Sequence, residues 1–119
     1  MNRSPPEQAK IAHLSLFNLP YMLKACPDAD YRRDTFAIAE ATANVLTDEH
    51  LSVSDLRARF ASDGERFTVA LGDLTPEGFE FARNGYQKWL KKTDRWKGER
   101  SVVKLEAALQ KEVQAHRTK

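Results

Sequence analysis

The sequence predicts a mainly α-helical, all-α fold, a compact bundle of four to six helices with a short β-like connector near residues 66–71. Three observations carry this prediction. The stretch 74–92 combines a strong helix-start signal with aromatic residues at helical spacing. Residues 31–46 are rich in alanine, which is the strongest helix former. Residues 66–71, bounded by Gly64 and Gly72, are the one convincing β-like run.

The stretch 74–92 begins with an N-terminal helix signal. The hydroxyl of Thr75 is suited to accept a backbone N–H, Pro76 fits the first helical position, and Glu77 lies near the positive end of the helix dipole. The residues that follow at steps of three and four are expected to share one buried side, and Phe81 to point elsewhere. That side comprises Phe79, Ala82, Tyr86, Trp89, Leu90 and Thr93.

Two glycines interrupt this helix. Gly78 and Gly85 lie seven residues apart and therefore on nearly one side. Because glycine in a helix interior costs roughly 1 kcal/mol relative to alanine, we expect a packing reason, the close approach of a neighbouring helix. A kink at Asn84-Gly85 is the alternative. In both cases Tyr86 and Trp89 are expected to point into the core and the lysines beside them into solvent.

The N-terminal region predicts a helix interrupted by proline. Residues 11–23 are apolar on more than one side, as is typical of a buried helix. Pro20 is expected to end this helix near Asn18, because proline lacks a backbone N–H and restricts the residue before it. A second short helix is then expected over residues 21–25.

Polar residues indicate where the next two helices begin. Asp28 or Asp30 is expected to cap the alanine-rich helix, since a carboxylate accepts the backbone N–H groups of a first turn. Ser52 and Asp55 have the spacing of a capping box, which predicts a short helix over about residues 53–61.

Two further signals mark helix boundaries. Gly64 is suited to end the short helix in a left-handed conformation. Ser101 is expected to cap a terminal helix, which either docks by one narrow apolar stripe or pairs with a second copy. The stripe comprises Val102, Leu105, Ala108 or Leu109, and Val113.

Length and composition favour a single helical domain over residues 1–119. Hydrophobic residues make up 41% and charged residues 30% of the chain, which is ordinary for a globular protein and argues against general disorder. No run approaches the roughly 18 apolar residues of a membrane span. The one cysteine, Cys26, excludes an internal disulfide and fits a reducing compartment, so we expect a cytoplasmic protein.

The formal net charge of +2 hides an uneven distribution. Residues 1–82 contain 8 basic and 13 acidic side chains, whereas residues 83–119 contain 11 basic and 4 acidic ones. Such a split is typical of a surface for nucleic acid or an acidic partner. It equally suits a basic end that pairs with acidic residues of the same chain or of a second copy.

The sequence contains no recognisable catalytic or metal-binding constellation. Cys26 is followed directly by proline, and the histidines are far apart in the chain. No pair of cysteine and histidine has metal-ligand spacing, and the glycines are too scattered for a phosphate-binding loop. We therefore expect no metal, no cofactor and no enzymatic activity. A catalytic site assembled only by folding stays open.

The basic C-terminal region is the candidate interaction face. Tryptophan beside arginine is typical of protein interfaces, which favours a regulatory module of the adaptor, inhibitor or accessory-subunit type. Its partner would be another protein or a second copy. Cations beside an aromatic ring also suit phosphate contact and base stacking, so nucleic acid is the alternative partner. Neither a membrane nor a small-molecule ligand is indicated. The candidate face comprises Lys88, Lys91, Lys92, Arg95, Trp96, Lys97 and Arg100.

The order of the predicted elements resembles the winged-helix family. Two helices precede a short helix bearing Arg57 and Arg59, and an extended run and a further helix follow. Residues 74–78 are similar to the segment that follows the wing in that family. The resemblance implies a nucleic-acid-binding regulator that uses the basic C-terminal region. The chain departs from the family pattern in lacking a clear two-strand wing.

Overall fold

A computed structural model describes residues 15–25, 28–94 and 101–118 of the chain. Helices dominate this part, and one short strand lies within residues 66–71, so the mainly α-helical prediction is confirmed. The elements in chain order are β1 (Ser15–Asn18), α1 (Leu19–Ala25), α2 (Ala29–Asp48), α3 (Leu56–Asp63), a 3-10 turn (Gly64–Arg66), β2 (Thr68–Ala70), a second 3-10 turn (Leu71–Asp73), α4 (Pro76–Phe81), a π-helical segment (Ala82–Tyr86), α5 (Gln87–Asp94) and α6 (Val102–Arg117).

The prediction of a helix ending near residue 18 is wrong for residues 15–18, which form strand β1. This strand pairs antiparallel with β2 and places Phe17 opposite Val69, and both side chains are buried. A short apolar run fits a buried strand as well as a buried helix, so periodicity alone does not separate the two. The partner strand decides here, because it satisfies the backbone groups of β1. Residues 11–14 lie outside the described part.

Pro20 helps to begin a helix instead of ending one. The side-chain oxygen of Asn18 accepts the backbone N–H of Tyr21 at 3.0 Å, which caps α1. Pro20 lies in the first turn of α1, where its missing N–H removes no intrahelical hydrogen bond. The helix predicted over residues 21–25 is present and begins at Leu19.

Helix α2 lies at the centre of the fold and packs against α1, α3 and α6. Its cap is one of the two predicted aspartates, since the carboxylate of Asp28 accepts the N–H of Tyr31 at 3.0 Å. Three of its alanines, Ala39, Ala41 and Ala43, are completely buried. Small side chains at these positions allow neighbouring elements to approach the helix closely.

Helix α3 begins later than the capping-box pattern predicts. Asp55 is the cap, because its carboxylate accepts the N–H of Ala58 at 2.9 Å. Ser52 forms an antiparallel bridge with Leu74, and its hydroxyl donates to the carbonyl of Ser54. Ser52, which the local sequence predicts as a cap, therefore takes part in tertiary pairing instead. Gly64 ends α3 with a φ of +55°, which glycine adopts without a Cβ clash, but its ψ of −122° differs from the left-handed helical cap that the sequence predicts.

Helix α4, the π-helical segment and α5 follow one another without a break over residues 76–94. The predicted start is confirmed, since the Thr75 hydroxyl accepts the N–H of Gly78 at 3.0 Å. The predicted buried side needs correction: Phe81 is completely buried, whereas Phe79 is half-buried. A π-helical turn holds more residues than an α-helical turn, so α5 is rotated relative to uniform α periodicity. The rotation brings Phe81 onto the same buried side as Trp89.

The two glycines have different structural roles. A Cβ atom at Gly78 would overlap the backbone carbonyl of Leu51, so the close neighbour is the loop between α2 and α3 and not a helix. A Cβ atom at Gly85 would overlap the ring of Phe81. Gly85 also lies in the π-helical segment, so the predicted local irregularity applies at this second glycine.

Replacing Gly78 by alanine should destabilise the protein although alanine favours helices. The overlap with Leu51 forces a backbone shift, and overpacking of this kind costs about 1–3 kcal/mol. Urea unfolding followed by circular dichroism measures the change. The matched control is Glu80→Ala, an exposed position on the same helix, which should change the free energy of unfolding by no more than about 0.5 kcal/mol. A Gly78→Ala variant as stable as the wild type would contradict the close approach.

Candidate interaction face

Buried aromatic residues join the helical stretch over residues 76–94 to α2 and α6. The indole N–H of Trp89 donates to the carbonyl oxygen of Leu105 at 3.2 Å. The hydroxyl of Tyr86 lies 2.8 Å from the hydroxyl of Thr42 on α2. The rings of Tyr86 and Trp89 pack with centroids 5.4 Å apart, and both side chains are completely buried. The prediction that these two rings point inward is therefore confirmed.

Burial also fixes the protonation state of Tyr86. Removal from water disfavours the phenolate and raises the pKa of Tyr86 well above its ordinary value, while the hydrogen bond with Thr42 opposes the shift only in part. The Tyr86 hydroxyl therefore stays neutral. Its function in the fold is to link α2 to the helix over residues 76–94.

The described lysines of the predicted interaction face are exposed, whereas the two rings are buried. Lys88 and Lys91 are exposed and form no ion pair with the described part of the chain. The ammonium group of Lys92 lies 2.6 Å from Glu112 of α6, so its charge is largely compensated within the protein. The remaining four residues of the predicted face lie outside the described residues: Arg95, Trp96, Lys97 and Arg100.

Helix α6 presents residues that the sequence reasoning did not include in this face. Val103 is 76% exposed, and Lys104, Ala107 and Lys111 are exposed beside it. These four residues, which we call the outer face of α6, recur at one- and two-turn spacing and so lie on one side of the helix. The opposite side buries Leu105, Leu109 and Val113. The signal was present in the sequence as two lysines seven residues apart beside apolar residues.

Several acidic side chains near this region are already engaged. Glu106 accepts a hydrogen bond from the side-chain amide of Asn44 at 2.7 Å, and Glu112 accepts one from Lys92. Lys104 and Lys111 form no ion pair with the described residues. The positive charge of the outer face of α6 is thus available to a partner.

Arg117 connects the end of α6 to two other elements. Its guanidinium group lies 2.7 Å from the carboxylate of Glu49 and 2.9 Å from that of Glu77. It also donates to the backbone carbonyl of Glu49 at 2.7 Å. The hydrogen bond from Arg117 lowers the pKa of Glu77 below its ordinary value, with a smaller opposing effect of desolvation. One basic residue of the C-terminal part therefore pairs with acidic residues of the same chain.

The described residues contain no cluster of side chains placed to hold a metal ion. No group of three or more histidine, cysteine, aspartate or glutamate side chains within them is placed to hold a metal ion. His50 lies in the turn after α2, and His116 packs edge-on against Phe81 with ring centroids 5.8 Å apart. The cleft beside His116 has a volume of only about 40 Å³. His13 and Cys26 lie outside the described part.

The arginines that the winged-helix resemblance points to are held in structural pairs. Arg57 bonds to the side chains of Asn44 and Asp48 on α2. Arg59 donates to the carbonyl of Thr68 and bonds to Asp73 at 3.1 Å. In addition, β1 and β2 are separated by three helices in the chain, whereas the wing of that family is a hairpin. These contacts give the short helix α3 a role in packing.

No protein-family model matches this chain, and comparisons with curated proteins and with solved structures find no significant match. Among the described helices, none is long and apolar enough to cross a membrane.

The hydrogen bond between Tyr86 and Thr42 should be detectable as a coupling energy. Tyr86→Phe and Thr42→Val each remove one hydroxyl and leave the other buried without its partner, which costs about 1–3 kcal/mol. The double variant removes both hydroxyls and should cost less than the sum of the single changes. Urea unfolding of all four proteins gives the coupling energy, which we expect to exceed about 0.5 kcal/mol. Additive effects would show that the two hydroxyls do not interact.

The Glu77–Arg117 pair should contribute stability that depends on pH. Because folding lowers the pKa of Glu77, its contribution is present above the ordinary glutamate pKa of about 4.3 and is lost as the pH falls through the lower folded value. Thermal unfolding should therefore show Glu77→Gln as less stable than the wild type at pH 7, with a difference that shrinks as the pH falls below the ordinary glutamate pKa of about 4.3. The control Glu80→Gln, exposed on the same helix, should show no such pH-dependent difference. A constant difference for Glu77→Gln would exclude the ion pair as its cause.

Proposed function

We propose that the protein is a small non-enzymatic regulatory module, of the adaptor, inhibitor or accessory-subunit type, which binds an acidic surface of another protein in the cytoplasm. The observation that carries this proposal is the composition of the outer face of α6. It combines an exposed valine and an exposed alanine with two lysines that form no ion pair with the described part of the chain.

The chemistry of this face fits a protein partner. Val103 and Ala107 are one turn apart and offer an apolar strip, as in helices that dock into a shallow apolar groove. Lys104 and Lys111 lie two turns apart beside that strip, where they would face carboxylates at the edge of such a groove. Charges at the edge of an interface mainly accelerate association and select the partner, whereas apolar contacts provide much of the binding energy.

The face is presented by a helix that is already held in place. Leu105, Leu109 and Val113 anchor its inner side in the core, and Arg117 fixes its C-terminal end. Binding therefore requires little ordering of the backbone, and ordering is one of the main costs of association. A preformed helix of this kind suits a constitutive binding module.

Nucleic acid is the second candidate partner. Lys88 and Lys91 of α5 are also exposed, and together with the lysines of α6 they would neutralise phosphates. The exposed Val103 contributes nothing to phosphate binding, however, and the described lysines and valine of this surface include no ring for base stacking. These features favour the protein partner.

The proposal is tested by photo-crosslinking in cells of the source organism. A photoreactive amino acid in place of Ala107 should crosslink to one discrete protein, and mass spectrometry of the product should locate the contact in an acidic segment. The double charge reversal Lys104→Glu and Lys111→Glu should reduce the crosslinked product at least about tenfold, a loss of about 1.4 kcal/mol of binding energy. The control Lys24→Glu, on α1, should leave it unchanged.

Two results would overturn the proposal. One is a protein crosslink that does not depend on Lys104 and Lys111. The other is lysine-dependent binding of the purified protein to labelled duplex or single-stranded nucleic acid that falls steeply with salt, which would establish the nucleic-acid alternative.

A further inference from the structure

A second surface, on the N-terminal half of α2, is apolar at its centre and charged at its ends. Phe36 and Ala37 are only half-buried, and Arg33 and Glu40 flank them. The side chains of Phe60 from α3 and Val102 from α6 form the walls of this groove. We call the four residues of α2 the α2 face, and none of them belongs to the outer face of α6.

The four residues of the α2 face have a self-complementary order. They lie at positions i, i+3, i+4 and i+7 and therefore on one side of the helix. If two copies of α2 pack antiparallel about a two-fold axis between Phe36 and Ala37, each residue meets the one at the mirrored position. Arg33 then faces Glu40 of the second copy, and Phe36 faces Ala37 of the second copy.

We propose that the α2 face is the interface of a two-fold symmetric dimer of this chain. A two-fold interface uses the same patch on both copies, so the patch must contain both members of each contact. The α2 face meets this requirement twice, with one pair of opposite charges and one pair of a large and a small apolar side chain. Large and small residues at facing positions allow helices to interlock.

The charged ends of the α2 face have weak or no partners within one copy. Arg33 lies 3.4 Å from Asp30, but both side chains are more than 70% exposed, and 4.0 Å from Asp34. Exposed pairs of this kind contribute little. Glu40 is half-buried and forms no ion pair with the described residues. Dimerisation would exchange the exposed contact of Arg33 for a contact with Glu40 that is partly shielded from water by Phe60 and Val102.

Charge exchange provides the test, with the dissociation constant of the full-length dimer measured by sedimentation equilibrium from about 1 µM to 1 mM. Each single reversal, Arg33→Glu or Glu40→Arg, occurs twice in a symmetric dimer and should raise the constant at least about tenfold. The double variant Arg33→Glu/Glu40→Arg should restore it to within about threefold of the wild type. The control Lys104→Glu should not change it.

Mixing the two single variants tests the antiparallel arrangement itself. Arg33→Glu carries acids at both positions and Glu40→Arg carries bases at both, so a heterodimer has two favourable pairs. Neither variant alone should dimerise strongly, while an equimolar mixture should dimerise as the wild type does. Circular dichroism of each variant checks that it is folded.

Three results would overturn the proposal. They are a wild type that stays monomeric up to about 1 mM, a dimer insensitive to either reversal, and single variants that fail to rescue each other in the mixture although both are folded.

Discussion

Two buried hydrogen bonds fix the arrangement of the three longest helical segments. The hydroxyl of Tyr86 pairs with Thr42 of α2, and the indole N–H of Trp89 pairs with the carbonyl of Leu105 in α6. A buried donor without a partner costs about 1–3 kcal/mol, so sliding α5 along either neighbour would be unfavourable at both bonds. Apolar contacts alone tolerate such sliding more readily, since they are not directional. The direction in which α6 presents Val103 and its lysines follows from this constraint.

The π-helical segment allows Tyr86 and Trp89 to form these two bonds within an ordinary amphipathic sequence. It rotates α5 relative to α4, and Phe81 and Trp89 both enter the same core. The ring of Phe81 then occupies the space beside Gly85, where any larger residue would collide with it. Glycine at this position is thus part of the packing and explains why a residue with poor helix propensity lies inside the helix.

The charges of the chain are divided between internal pairing and free surface. Arg57 and Lys92 pair with acids of other elements, and Arg117 pairs with Glu49 and Glu77, which joins the basic C-terminal part of the chain to the acidic part. The lysines at the outer face of α6 form no ion pair with a described acid, and the α2 face contains opposite charges in a self-complementary order. We therefore propose different partners for the two surfaces, an acidic protein in one case and a second copy in the other.

The sequence by itself determined the helical class, the cap at Thr75, the choice of Asp28 or Asp30 as the cap of α2, and the inward direction of Tyr86 and Trp89. These depend on local backbone chemistry and helical periodicity, which a single segment contains in full. Only the tertiary structure decided that residues 15–18 are a strand, because a strand is satisfied by a partner from a distant part of the chain. It likewise decided how α5 is rotated and which lysines of α6 form no ion pair with the described residues. Both depend on which neighbours occupy the surrounding space.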